Sequence, residues 1–137
     1  MTKQVLDVQQ MQHLQELGLK LKPSLVHYYK IINIDSSKWY LSVTTGDISE
    51  NNSTYQYIPA YTLQDVLDAL PDFINEYCLI IDIIDMSFGV IRYDNLTREN
   101  NPILKEKYFN DEDDELIDVA YEMLCWVLTN KYIQEYE

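Results

Sequence analysis

A chain of 137 residues that is 47% hydrophobic, with only three glycines and four prolines, can bury one sizeable core and is neither disordered nor fibrous. Its net charge of −13 is concentrated in the second half: residues 1–70 hold five lysines against seven acids, residues 71–137 five basic residues against sixteen acids. That balance argues against binding a nucleic-acid backbone or an anionic membrane, both of which need clustered Lys and Arg. It permits a basic protein partner, and it also serves solubility.

Residues 2–17 predict a first helix, with Val5, Val8, Met11, Leu14 and Leu17 on one stripe and glutamines on the other face. Gly18 suits a left-handed terminator, and Pro23 prevents continuation. Residues 25–34 are rich in β-branched and aromatic side chains, as a strand should be. Asp35-Ser36-Ser37-Lys38 supplies turn residues, and residues 39–45 alternate. Trp39, Leu41 and Val43 fall on one face and Tyr40, Ser42 and Thr44 on the other, which predicts a hairpin with one buried and one wet face.

Residues 46–57 read as a polar loop. After Pro59, Thr62 and Asp65 stand in a capping arrangement for a short helix whose inward stripe is Leu63, Val66, Leu67 and Leu70, closed by Pro71. Residues 76–85 and 87–94 predict a second hairpin turning around Asp85-Met86-Ser87. Its first strand is so continuously apolar that it reads as a central one, covered on much of both faces. Residues 95–113 are irregular, with an isolated cluster of Ile103, Leu104, Tyr108 and Phe109 that fits a helical turn or an edge strand.

Residues 114–131 then predict the organising element. Glu115, Asp118, Glu122 and Thr129 fall on one narrow stripe of a helix, so the remaining circumference, Trp126 included, must be covered by protein or by a second subunit. Asp113 or Asp114 is the expected N-cap and Asn130 the expected left-handed cap, with Tyr132-Ile133 folding back on the last turn. The order helix, hairpin, helix, hairpin, helix predicts an α+β fold in one domain, residues 1–137, with a four-stranded, mainly antiparallel sheet and the helices packed on one face.

Chemistry-bearing motifs are sparse. His13 and His27 have no second ligand at metal-binding spacing. The acidic run 110–115 lacks the central glycine and the twelfth-position Glu of a calcium loop; carboxylates before a helix N-terminus are accounted for by its dipole. Asp82 and Asp85 near Arg92 read as a cross-strand ion pair rather than a catalytic carboxylate pair. Nucleophile elbows, phosphate loops and dinucleotide fingerprints are missing, so no catalytic, cofactor or metal residue is assigned. Cys78 and Cys125, each among bulky apolar neighbours, read as small buried hydrophobes. The N-terminus has no secretory pattern, and no apolar run approaches the roughly 20 residues of a membrane span, which predicts a soluble, cytoplasmic protein.

Tyrosine is the unusual component, at twelve residues. Tyr55, Tyr57 and Tyr61, together with the acids Asp111, Glu112 and Asp113, form the candidate interaction surface, because tyrosine combines apolar area with a polar tip. Residues 58–71 (IPAYTLQDVLDALP) and 116–126 (LIDVAYEMLCW) together resemble a family of short uncharacterised proteins from gut Bacteroides-type bacteria and their phages or mobile elements. The resemblance implies a bacterial cytoplasmic setting and carries over no functional residue. The expectation is therefore a non-enzymatic accessory protein that binds another protein, with homodimerisation through the last helix a further possibility. The alternative is an enzyme or small-ligand binder whose site is not a sequence motif.

Overall fold

The N-terminal helix starts later than its apolar spacing implies. In the computed structural model, which describes residues 3–32, 38–43, 54–85, 88–110 and 115–132, α1 spans Val8–Glu16. Asp7 caps it by accepting from the Gln10 amide, and the Gln10 side chain accepts from the Asp7 amide in return. This capping box satisfies two orphan donors and fixes the helix start after Val5. Val5 instead forms an isolated antiparallel bridge with Thr62, and the Leu6 amide donates to the Tyr61 carbonyl at 2.9 Å. Gly18 takes φ +102°, and the Gly18 and Leu19 amides donate back to Gln15 and Leu14. That double closure satisfies carbonyls of the last turn, and only glycine adopts the conformation freely.

The strands form two antiparallel sheets rather than one of four strands. In the first, β1 (Val26–Ile31) lies between β2 (Tyr40–Val43) and β3 (Tyr55–Pro59). The end of the expected loop is thus a strand, pairing His27 with Pro59 and Tyr29 with Tyr57. In the second, the order is β4 (Phe73–Ile74), β5 (Tyr77–Asp85), β6 (Phe88–Asp94) and β7 (Ile103–Asn110). Both edges of β1 are taken by β2 and β3, so the second hairpin cannot join it.

The first hairpin is present, but its expected buried face is not: Leu41 and Val43 are exposed, and of that face only Trp39 packs against the core. The cap of α2 (Leu63–Ala69) is as expected, with Thr62 accepting from the Asp65 amide and Asp65 accepting from that of Thr62. In the second sheet the buried central strand is β6, where Gly89, Val90, Ile91, Tyr93 and Asp94 are all enclosed. The more apolar β5 is exposed from Ile81 onward. Residues 86 and 87, at the expected turn, lie outside the described residues. Of the stretch expected to be irregular, residues 95–110 form a loop and the strand β7.

The organising helix α3 (Leu116–Thr129) is buried on Ile117, Val119, Ala120, Met123, Leu124, Val127 and Leu128, and rests on α2, β6 and β7. One cluster of buried residues joins it to Leu6, Met11 and Leu14 of the N-terminal segment, Ile58 of β3, and Ile91, Tyr93 and Phe109 of the second sheet. Trp126 is half-buried rather than central, 6.4 Å from the Tyr93 ring and 5.3 Å from that of Tyr132, with Lys105 Nζ over its face.

Glu115, not Asp113 or Asp114, occupies the N-cap position, and its carboxylate accepts from the Lys3 amide at 2.9 Å. Lys3 Nζ and Gln10 Nε2 both reach Asp118 Oδ1, at 2.7 and 3.0 Å. Burial alone would raise the Asp118 pKa; the hydrogen bonds from Lys3 and Gln10 outweigh it and hold the carboxyl below its ordinary value. At the other end Asn130 keeps φ −90°, and Lys131 takes the left-handed conformation at φ +59°. The Asn130 side chain instead donates to the Trp126 carbonyl, while the Tyr132 amide folds back and donates to the Val127 carbonyl. Ile133 lies outside the described residues.

Candidate functional site

Strand pairing decides which side chains share a face. Directly opposed residues point the same way and successive residues alternate. In the second sheet the inner face, toward α3, carries Leu79, Ile81 and Ile83 of β5, Gly89, Ile91 and Tyr93 of β6, and Lys105, Lys107 and Phe109 of β7. The outer face carries Ile80 and Asp82, then Val90, Arg92 and Asp94, then Glu106 and Tyr108.

The two edges of this sheet are finished differently. On β7, Lys105 and Lys107 stand at inward positions, Lys105 over the Trp126 ring and Lys107 3.6 Å from Glu122. Inward charges of this kind discourage another strand from docking. On β5, the covering strand β4 is two residues long and pairs only with Tyr77 and Cys78, and one more bond joins the Leu79 amide to the Asp72 carbonyl. Antiparallel alternation then turns the amides and carbonyls of Ile81 and Ile83 outward, away from β6. Among the described residues no strand lies beside them. Their side chains are 38% and 62% exposed, and Ile84, at the bulge that follows, is 58% exposed.

The edges of the first sheet are guarded in ordinary ways. β2 is four residues long, and β3 carries Pro59, which has no amide to offer. β5 is thus the one long edge among the described strands with neither proline nor lysine.

On the outer face, Arg92 joins two acids: Nε to Asp94 Oδ2 at 2.6 Å and Nη1 to Asp82 Oδ2 at 3.4 Å. The hydrogen bond to Asp94 is the main cause that raises the Arg92 pKa further above its usual value. The expected partnership with Asp82 is formed, and Asp94 was not anticipated beside it. Its signal was present, since residues 92 and 94 of one strand share a face. Asp94 is buried, and its Oδ1 has no hydrogen-bond partner among the described residues. Phe88 stacks on Tyr108 (centroids 5.9 Å apart) beside the enclosed Val90.

Of the residues chosen from sequence as an interaction surface, Tyr55 and Tyr57 lie half-buried on β3. They belong to an aromatic group on the face of the first sheet opposite Tyr28 and Ile58. Register aligns Tyr40, Tyr29 and Tyr57 in one row across the three strands; Tyr29 stacks on Tyr40 at 5.4 Å, and His27 meets Tyr57 edge-on at 5.5 Å. Tyr61 does not belong to a surface: it is buried in the core, and its hydroxyl accepts from the Lys22 amide at 2.7 Å. Asp111, Glu112 and Asp113 lie outside the described residues.

A cleft of about 280 Å³ lies between residues 19–23 and α2, lined by Leu19, Lys20, Lys22, Pro23, Tyr61, Asp65, Asp68 and Ala69. Asp65 there is already engaged by Thr62 and Ser24. Among the described residues no group of three or more His, Cys, Asp or Glu could hold a metal ion, and no helix is long and apolar enough to cross a membrane. Burial raises the pKa of Cys125 and that of its neighbour Tyr121. Neither group is poised to react as an anion near neutrality.

No protein-family model matches the chain, and comparison with curated proteins and with solved structures returns no match.

Proposed function

We propose that this chain is a non-enzymatic protein-binding factor that engages its partner through the uncovered half of β5. The setting implied by the family resemblance is the cytoplasm of a gut Bacteroides-type bacterium, as an accessory protein of a phage or mobile element. The observation that carries the reading is the contrast between the two edges of the second sheet. β7 turns lysines inward, whereas β5 leaves Ile81, Ile83 and Ile84 in contact with solvent. Long apolar edges are an aggregation liability that proteins usually blunt, so one left open marks an interaction site. The tyrosine row of the first sheet supports the same class of function as a second contact area.

The test compares the wild-type chain with Ile83→Lys, a change at a side chain exposed enough to leave the fold intact. Immobilised wild type is expected to retain a defined host protein at physiological salt, and Ile83→Lys to lose it. Identical sets of retained proteins from both would refute the reading.

A further inference from the structure

We infer that β5 takes an extended segment of the partner as an added antiparallel strand, and that this segment places a basic residue opposite Asp82 with apolar residues on either side. The inference deepens the proposed function and rests on β5 being the binding edge.

Three observations specify the occupant. The free hydrogen-bonding groups belong to Ile81 and Ile83, two residues apart and on the side of β5 away from β6. An extended chain satisfies groups at that spacing, and a helix does not. The side chains of these residues point inward and are apolar, so the partner's residues opposite them are apolar too. Between them Asp82 points to the other face, its side chain 53% exposed.

The charge at Asp82 selects the sign. Arg92 reaches Asp82 only at 3.4 Å and is already held by Asp94 at 2.6 Å, so Asp82 can turn to an incoming cation without stranding the guanidinium. Sixteen acids against five basic residues in the second half of the chain act in the same direction.

The same charge disfavours a second copy as the occupant. The symmetric register that uses both free residues joins Ile81 of one copy to Ile83 of the other. It sets the two Asp82 residues opposite each other as a close, non-hydrogen-bonded pair, with Cα atoms about 4.5 Å apart. Like charges directly opposed weaken a sheet pair. A basic residue at that place removes the conflict.

Capped peptides alternating valine with lysine, and valine with glutamate, serve as probes for the full chain. A third peptide is the lysine form, N-methylated at the residues that would bond Ile81 and Ile83. The lysine peptide is expected to bind, to weaken with added salt, and to slow hydrogen exchange at the Ile81 and Ile83 amides. The glutamate and N-methylated forms are expected to bind at least about tenfold more weakly. Asp82→Lys is expected to invert the preference between the lysine and glutamate peptides; if that variant does not fold, the peptide comparison on the wild type decides alone. Equal binding of the lysine and glutamate peptides, or indifference to N-methylation, would overturn the inference. So would a dimer in light scattering that Ile83→Lys dissociates. Failure of the peptides while Ile83→Lys still abolishes capture of a host protein would reject strand addition and leave the protein-binding reading standing; failure of both would reject both.

Discussion

Gly89 is the position at which the second sheet is most sharply constrained. It sits on the central strand β6, directly opposite Phe109 of β7. A β-carbon there would overlap the Phe109 ring at Cζ and lie 2.6 Å from the Asp82 carbonyl oxygen of β5. The ring covers the bare glycine and so replaces a missing side chain with aromatic area. Phe109 is 5% exposed and has little room to retreat, and the Asp82 carbonyl is backbone within a sheet ladder. Gly89→Ala therefore has to displace a buried ring and a strand together. Overpacking costs about 1–3 kcal/mol in general, and with both neighbours fixed the upper end applies, about 3 kcal/mol. At this chain length that corresponds to a fall in Tm of roughly 9–12 °C. Urea unfolding followed by circular dichroism measures it as a lower midpoint with an unchanged slope. Phe109→Leu frees part of the space, so the double variant is expected to lose about 1 kcal/mol less than the sum of the single ones. A Gly89→Ala cost within about 0.5 kcal/mol of zero, or full additivity, would show that β6 and β7 are not paired in this register.

Other perturbations follow from the same contacts. Trp126→Ala is expected to cost about 2–3 kcal/mol in chemical denaturation, below the roughly 3–5 kcal/mol of a fully enclosed aromatic, because the side chain is only half-buried against Tyr93 and Tyr132. Lys131→Gly, which relieves a left-handed non-glycine residue after α3, is expected to stabilise by about 0.5–1 kcal/mol, read as a rise in Tm. The lowered pKa of Asp118 means that its bonds to Lys3 and Gln10 contribute fully above the ordinary carboxylate pKa of about 3.9 and are lost as pH falls through the lower folded value. Asp118→Asn is then expected to cost about 0.5–1 kcal/mol at neutral pH, modest because the group is partly exposed, with the difference vanishing in acid. A pH-independent difference in paired melts would contradict that assignment.

Local signals told most where local chemistry decides the structure. Thr62 and Asp65 announced α2, Gly18 announced the end of α1, and the near-continuous apolar run of α3 announced an element with protein on most sides. The strands that went unread owe their conformation to distant partners. β3 contains a proline and is a strand because β1 holds it. β7 alternates imperfectly because Lys105 and Lys107 occupy inward positions, with their charges at Trp126 and Glu122. β5 was the instructive case. Its run of isoleucines has the composition of a covered strand, and composition cannot distinguish a strand buried by its own chain from one left open. The candidate site was therefore hidden in a segment that read as core, while Tyr61, chosen for the surface, is buried.

Residue-resolved hydrogen exchange along β5 reads out the open edge, because amides that alternate between paired and unpaired leave a two-residue signature. Slow exchange is expected at Ile80 and Asp82, whose amides bond to β6, and fast exchange at Ile81 and Ile83 in the isolated protein. Equal protection of all four amides would mean that the edge is already covered, and the assignment of β5 as the binding surface would fall.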